Sequence, residues 1–334
     1  MLRVTGLAEG SPPDRKWLEE RLRDAISRRD SLRDTNAKRL VFSEADAVPG
    51  LIVDQYADYL VVQIRSAGID RLRADVVAIL QSLLQPKGIL ERSDKEFREE
   101  EGLPPATQTL AGTVPDRIQI EESGLRFWVD PHHGLKTGFY LDQRPTRQRL
   151  RQWVQPGQQV LDTFSYTGSL GIAAAAAGGR VVCVEQLEAH TALAKENAAL
   201  NNVADRIEWV SGDAFYWLPS KAKAGAKLDW VIVDPPALAK AKQQVPAARQ
   251  ALHHLTSNAL ALLGPGAKMV LSMCSYHLLP VTEEIVRIAA AEHGTRLWVR
   301  SQWVQPEDHP WILQIPPTRY LVSWCVEHDA RSAA

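Results

Sequence analysis

Val160-Leu161-Asp162-Thr163-Phe164-Ser165-Tyr166-Thr167-Gly168-Ser169-Leu170-Gly171 is the stretch that decides the fold. An apolar run ends in an acid, a short loop follows, and two glycines lead into Ile172 and the alanines Ala173 to Ala177. That order reads as strand, tight turn and helix, the opening of a βαβ unit. Gly168 lets the backbone approach a ligand at the helix N-terminus. Neither G-x-G-x-x-G nor G-x-x-x-x-G-K-[ST] is present, so the turn matches a dinucleotide or nucleoside triphosphate site poorly. Phe164 and Tyr166 stand where a dinucleotide turn carries glycines, which leaves less room for a pyrophosphate and suits a compact nucleoside.

Downstream the pattern is regular. Strands are expected at 160–164, 181–185, 207–211, 230–234 and 269–274, with helices at about 169–178, 187–201, 214–220, 247–263 and 280–293. Such alternation implies an α/β fold with a parallel, doubly wound sheet. The segments 297–304 and 320–326 follow without a helix between them and read as antiparallel neighbours. A parallel sheet closed by such a pair narrows the fold, by analogy, to the Rossmann-like S-adenosylmethionine methyltransferase type.

Ligands of these sheets sit at the carboxyl ends of the strands, and those ends are polar here. Glu185, about twenty residues beyond the glycine turn, can accept hydrogen bonds from ribose hydroxyls. Asp213, before Ala214, can accept from an adenine amino group or cap the next helix. Asp162 can steady the loop. In Asp234-Pro235-Pro236 the proline pair stiffens the turn and aims the carboxylate into the cleft. Ala237 follows and cannot stack on a base, which argues against N-methylation of adenine. Cys274 closes the fifth strand beside Ser272, Ser275 and His277. A thiolate adding to carbon 6 of cytosine would make carbon 5 nucleophilic enough to attack a sulfonium methyl group. Cys183 and Cys325 lie inside apolar strands and read as core.

Of the first half, 1–34 reads as a helical segment. Asp14 is a cap for a helix whose Trp17, Leu18, Leu22 and Ala25 share one face, while Arg15, Lys16, Arg21, Arg23, Arg28 and Arg29 decorate a solvated or RNA-facing surface. Residues 35–115 read as a small α/β domain: a strand at 39–43, a hairpin of 51–55 and 59–65 after Pro49-Gly50, a helix at 69–84 and a strand at 89–91. A Pro/Thr-rich link at 102–115 marks its end, and the catalytic domain is expected over 116–334. That domain opens on a hairpin around Ser123-Gly124. A loop then carries Lys136, Tyr140, Asp142, Gln143 and Arg144 in the composition of a binding loop.

The chain has 334 residues, with 45% apolar and 24% charged side chains, which fits two globular domains. Its net charge of −1 leaves nucleic-acid contact to local basic patches. No apolar run approaches the ~18 residues of a membrane span, and Met1 to Gly10 lacks the apolar core of a signal peptide. Three cysteines without C-x-x-C suit a reducing cytoplasm. His132, His133, His253 and His254 come without a ligand pattern such as H-E-x-x-H, so no metal is expected.

These residues resemble the bacterial 23S rRNA 5-methylcytosine methyltransferases of the large-subunit methyltransferase I type. The matching motifs are Phe164-Ser165-Tyr166-Thr167-Gly168, Asp234-Pro235-Pro236, Ser272 to Ser275, Lys136 to Arg144 and Asp308-His309-Pro310. Pro49 to Asp54 and Arg92-Ser93-Asp94 extend the similarity, which covers roughly 35 to 327. The resemblance implies S-adenosylmethionine as cofactor, lined by Phe164, Tyr166, Thr167, Gly168, Glu185, Asp213, Ala214 and Asp234. It implies Cys274 as nucleophile, Asp234 oriented on the cytosine ring, and 23S rRNA or a large-subunit assembly particle as partner. Family members usually begin with an RNA-binding PUA domain; this chain is expected to start at that domain's last strand, Leu2-Arg3-Val4. Where the family carries a Tyr-Lys-Asp-Leu-Asn-like run, this chain reads Leu252-His253-His254-Leu255-Thr256. Two alternatives stand beside this reading: a guanine-N7 rRNA methyltransferase, which needs no cysteine after strand five, and an inactive cofactor-binding module that docks on RNA. The oligomeric state stays open, a homodimer among the options.

Overall fold

The computed structural model describes residues 13–93 and 98–329; Leu2-Arg3-Val4 and Asp94 lie outside the described residues. One compact unit runs to Asp142 and takes in Pro306–Thr318, and a second comprises Gln143–Gln305 and the chain from Arg319.

In the first unit, Asp14 accepts from the Trp17 N–H at 2.8 Å and starts α1 (Arg15–Ser27). Trp17, Leu18, Leu22 and Ala25 are buried, as their spacing predicts. There follow β1 (Ala37–Phe42), β2 (Leu51–Tyr56), β3 (Tyr59–Ile64), α2 (Ala67–Arg71), α3 (Arg73–Leu84), β4 (Gly88–Ser93) and β5 (Ala106–Gly112). The strands form one sheet in the order β1-β2-β3-β4-β5, with β3 and β4 parallel and the other pairs antiparallel. One apolar core joins residues of α1, α3 and the sheet.

Three expectations need correction here. The segment 102–115 is not simply a link, because 106–112 pairs with β4 as the edge strand. The helix expected over 69–84 is broken at Leu72, where α2 ends and α3 begins. Arg29 does not decorate a solvated face: its side chain is 1% exposed and pairs with Asp46 at 2.6 Å. The first compact unit runs past 115 to Asp142. β6 (Ile118–Glu122) and β7 (Leu125–Val129) form a hairpin bound to the first unit, Asn36 N–H donating to Glu121 O at 3.1 Å and Ser123 N–H to Asp34 O at 2.7 Å.

The second unit holds α4 (Arg144–Trp153), β8 (Gln159–Thr163), α5 (Ser169–Ala176), β9 (Arg180–Glu185), α6 (Glu188–Leu200), β10 (Ile207–Ser211) and α7 (Ala214–Lys223). It continues with β11 (Leu228–Val233), α8 (Val245–Ala261), β12 (Leu263–Met273), α9 (Leu279–Glu292), β13 (Leu297–Val304) and β14 (Val322–His328). Its seven strands lie in the order β10-β9-β8-β11-β12-β14-β13. The first five are parallel, and β14 runs antiparallel to both neighbours, as expected. Strand order reverses between β8 and β11, which opens the crevice where such sheets take their ligand.

Candidate active site

The turn after β8 is held in an unusual conformation. Phe164, Tyr166 and Gly168 take φ values of 58°, 49° and 80°. The two aromatics thus adopt the left-handed backbone that glycine favours, at a cost on the order of 1–3 kcal/mol each. Their rings offset part of this: Phe164 packs edge-on against Phe215 (5.6 Å between centroids) and Tyr166 against His190 (4.6 Å). Gly168 also has no room for a side chain, since a Cβ there would lie 2.8 Å from the Trp209 ring. The Gly168 N–H closes the turn onto Ser165 O at 2.7 Å.

Acids surround this turn. The Gly171 N–H donates to Asp162 Oδ2 at 2.8 Å, while Oδ1 is buried without a partner among the described residues. Burial pushes the Asp162 carboxyl up to about 8, and repulsion from Asp234 and Glu185 adds to the shift. Glu185 accepts from the Tyr166 N–H (2.9 Å) and the Leu187 N–H (3.0 Å), with His190 Nδ1 at 3.1 Å. Burial raises the Glu185 pKa, but His190 and the two N–H groups outweigh it and hold the carboxyl below its ordinary value. Asp213 caps α7, accepting from the Phe215 N–H at 2.9 Å, and Ala214 is buried in the first turn. Thr167 is buried and its hydroxyl has no partner among the described residues.

On the other side of the switch point, Asp234 is half-buried after β11 and Pro235 is buried. Cys274, after β12, is half-buried with Sγ 3.9 Å from Pro235 O. The Ala239 N–H donates to Ser275 Oγ at 3.2 Å, joining the two strand-end loops. The other thiols are core groups: burial pushes Cys183 far up and Cys325 up to about 12.

The remaining motif residues are packed within the protein. Lys136 pairs with Asp142 and lies 4.2 Å from the centroid of the Tyr140 ring. Gln143 Oε1 accepts from Thr146 Oγ1 at 2.6 Å, and Arg144 is a buried residue opening α4. In the 252–256 run, Leu252, Leu255 and Thr256 are buried along α8, while His253 meets Glu292 at 2.8 Å. Sequence reasoning missed His190. Position 190 sits five residues beyond Glu185 in the first turn of α6, a spacing that could have flagged it.

The residues fit a cationic nucleoside ligand. Asp234 and Glu185 both repel charge on Asp162 at the switch point, and one Asp162 oxygen is buried without a donor among the described residues. A ligand bearing a sulfonium and an ammonium would supply the missing positive charge. Residues 98–298 match the model of the S-adenosylmethionine-dependent methyltransferase family. The chain belongs to that family. S-Adenosylmethionine is therefore its cofactor. Among relatives of the family, the chain is 35% identical over 304 residues to the ribosomal RNA large subunit methyltransferase I of Serratia proteamaculans, covering 90% of this chain and 76% of that one. The protein of the same description from Yersinia pseudotuberculosis gives the same identity and coverage. A methyltransferase structure solved with SAH shares the fold, with a TM-score of 0.85 at 21% identity, covering 96% of this chain and 83% of that one.

Proposed function

We propose that this methyltransferase acts on large-subunit (23S) ribosomal RNA and forms 5-methylcytosine, with Cys274 as nucleophile. The names of its relatives support the RNA substrate. The observation that carries the chemistry is Cys274 itself, a half-buried thiol beside the Asp234-Pro235-Pro236 turn while Cys183 and Cys325 are sealed in the core. The cofactor, when bound, supplies an electrophilic methyl group. Glu185 and Asp213 hold the nucleoside end, Asp234 offers negative charge to the cationic end, and Asp162 steadies the turn through the Gly171 N–H. The Cys274 thiolate would add to carbon 6 of the base and make carbon 5 nucleophilic toward the methyl group of the cofactor, whose sulfur would leave as a neutral thioether. Loss of the carbon 5 proton to solvent would then expel the thiolate and restore the aromatic ring. Asp234 orients the base through its exocyclic amino group. The base must be unstacked to be reached.

The test is chemical. Ribosomal RNA methylated with labelled cofactor and digested to nucleosides should yield 5-methylcytosine. RNA carrying 5-fluorocytosine should trap a covalent adduct, because fluorine cannot leave as a proton. Cys274→Ala should abolish product and adduct while cofactor binding stays nearly unchanged. A product of 7-methylguanine, or methylation by the alanine variant, would sink the reading.

A further inference from the structure

Beside Cys274 lies a surface that the chemistry above does not use. Ser275 opens a tight turn, its carbonyl accepting from the Leu278 N–H at 2.8 Å and the Leu279 N–H at 3.1 Å. The turn presents two rings at its tip, Tyr276 and His277, packed edge-on with centroids 5.5 Å apart. Tyr276 is 43% exposed and stands two residues from Cys274. Through Ser275 Oγ the same turn holds Ala239, which is buried, and so fixes the loop that follows Pro235-Pro236. That loop carries Lys240 and Lys242, both exposed, and the Gln244 side chain fixes its backbone by accepting from the Lys240 N–H at 2.8 Å. Lys242 has no ion-pair partner among the described residues.

The sequence around it is biased in the same sense. No Asp or Glu occurs between Asp234 and Glu283, although the chain as a whole is slightly acidic. Of the other cations in that interval, Arg249 is paired with Glu284 and Lys268 with Glu327. Lys242 therefore carries positive charge without an ion-pair partner among the described residues, on the loop that follows Pro235-Pro236. A rigid exposed ring next to exposed lysines, on a backbone fixed by hydrogen bonds, is the composition that takes single-stranded nucleic acid: the ring stacks on a base and the ammonium groups meet phosphates.

We infer that Tyr276 and the Lys240–Lys242 loop form a single-stranded RNA cradle at the lip of the active site. The ring stacks on a base next to the target nucleotide, and Lys242 contacts a flanking phosphate. The inference rests on the proposed RNA substrate and deepens it, assigning the groups that hold the unstacked strand while Cys274 engages the base.

Two measurements on the full chain test it, with an rRNA transcript as probe. Tyr276→Ala should raise KM for RNA about tenfold, the scale of one base–aromatic stack. Tyr276→Phe, which keeps the ring, should restore the wild-type KM, and cofactor affinity should not change in either. Lys242→Gln should reduce the slope of log affinity against log salt by ~0.7, one single-strand phosphate contact. Affinity is read by fluorescence anisotropy and needs no turnover. Methylation of cytosine by the wild type, with KM and salt slope unchanged in both variants, would overturn the cradle and leave the proposed reaction standing. Absence of RNA binding by the wild type would overturn both.

Discussion

Asp162 is a carboxyl group with one oxygen satisfied and one buried alone, and its pKa of about 8 has consequences for both stability and binding. In the unfolded chain an aspartate titrates near ~3.9, so folding takes up a proton at every pH between the two values. The stability contributed by that proton is complete below the unfolded pKa and is lost as pH rises through about 8. The slope is on the order of 1.4 kcal/mol per pH unit for one proton. Asp162→Asn keeps an oxygen for the Gly171 N–H and cannot titrate. Urea unfolding between pH 5 and 8 should show the asparagine variant with a flatter profile and a relative gain at the alkaline end; parallel profiles would refute the assignment. Glu185 lies at the opposite extreme, held ionised by His190 and two backbone donors. Glu185→Ala should weaken S-adenosylmethionine binding by ~1.5–3 kcal/mol, the worth of hydrogen bonds to a charged group. Calorimetry showing an unchanged affinity would remove Glu185 from the cofactor site.

Elements were legible in the sequence to the extent that their buried faces are apolar. β8, β9, β11 and β12 announce themselves through Val, Ile and Leu runs. By contrast, 106–112 is Thr- and Gln-rich with most positions exposed, so an edge strand looks like a linker. α4 escaped notice because its buried face includes Arg144, Thr146 and Arg147 beside Leu150, and hydrophobic periodicity cannot flag buried arginines. In the site, the strand-end acids and Cys274 were readable from their positions, whereas the Glu185–His190 pair and the Ser275–Ala239 link depend on how loops fold back. The packing of α5 on β9 shows what the alanine-rich run requires. Gly171 is buried, and a Cβ there would run into the Cys183 sulfur. Gly171→Ala should therefore destabilise by ~1–3 kcal/mol, the usual cost of overpacking. Removing the obstructing sulfur in Gly171→Ala/Cys183→Ala should recover much of the loss. Strict additivity of the two substitutions in denaturant unfolding would show that the sulfur is not what the new methyl group meets.

Charge organisation across the whole molecule sets how the protein should hold RNA. A net charge of −1 offers no global attraction, and the structure shows many of the cations already neutralised. On α1, the helix that looked RNA-facing by composition, Arg15 pairs with Asp75 and Arg23 with Glu19, while just beyond its end Arg28 pairs with Asp46 and Arg29 is buried on the same aspartate. Such arginines carry little uncompensated charge to offer a phosphate. The salt dependence of RNA affinity scales with the number of phosphates neutralised, at ~0.7 per contact on a single strand. Affinity should then fall only gently with salt, and Arg15→Gln with Arg23→Gln should leave the slope as it is, while Lys242→Gln lowers it. Titrating an rRNA transcript from low to physiological salt separates the cases. A slope equivalent to about eight contacts or more would mean that RNA displaces the carboxylates from the α1 arginines. In that event the double α1 variant, and not Lys242→Gln, would flatten the dependence.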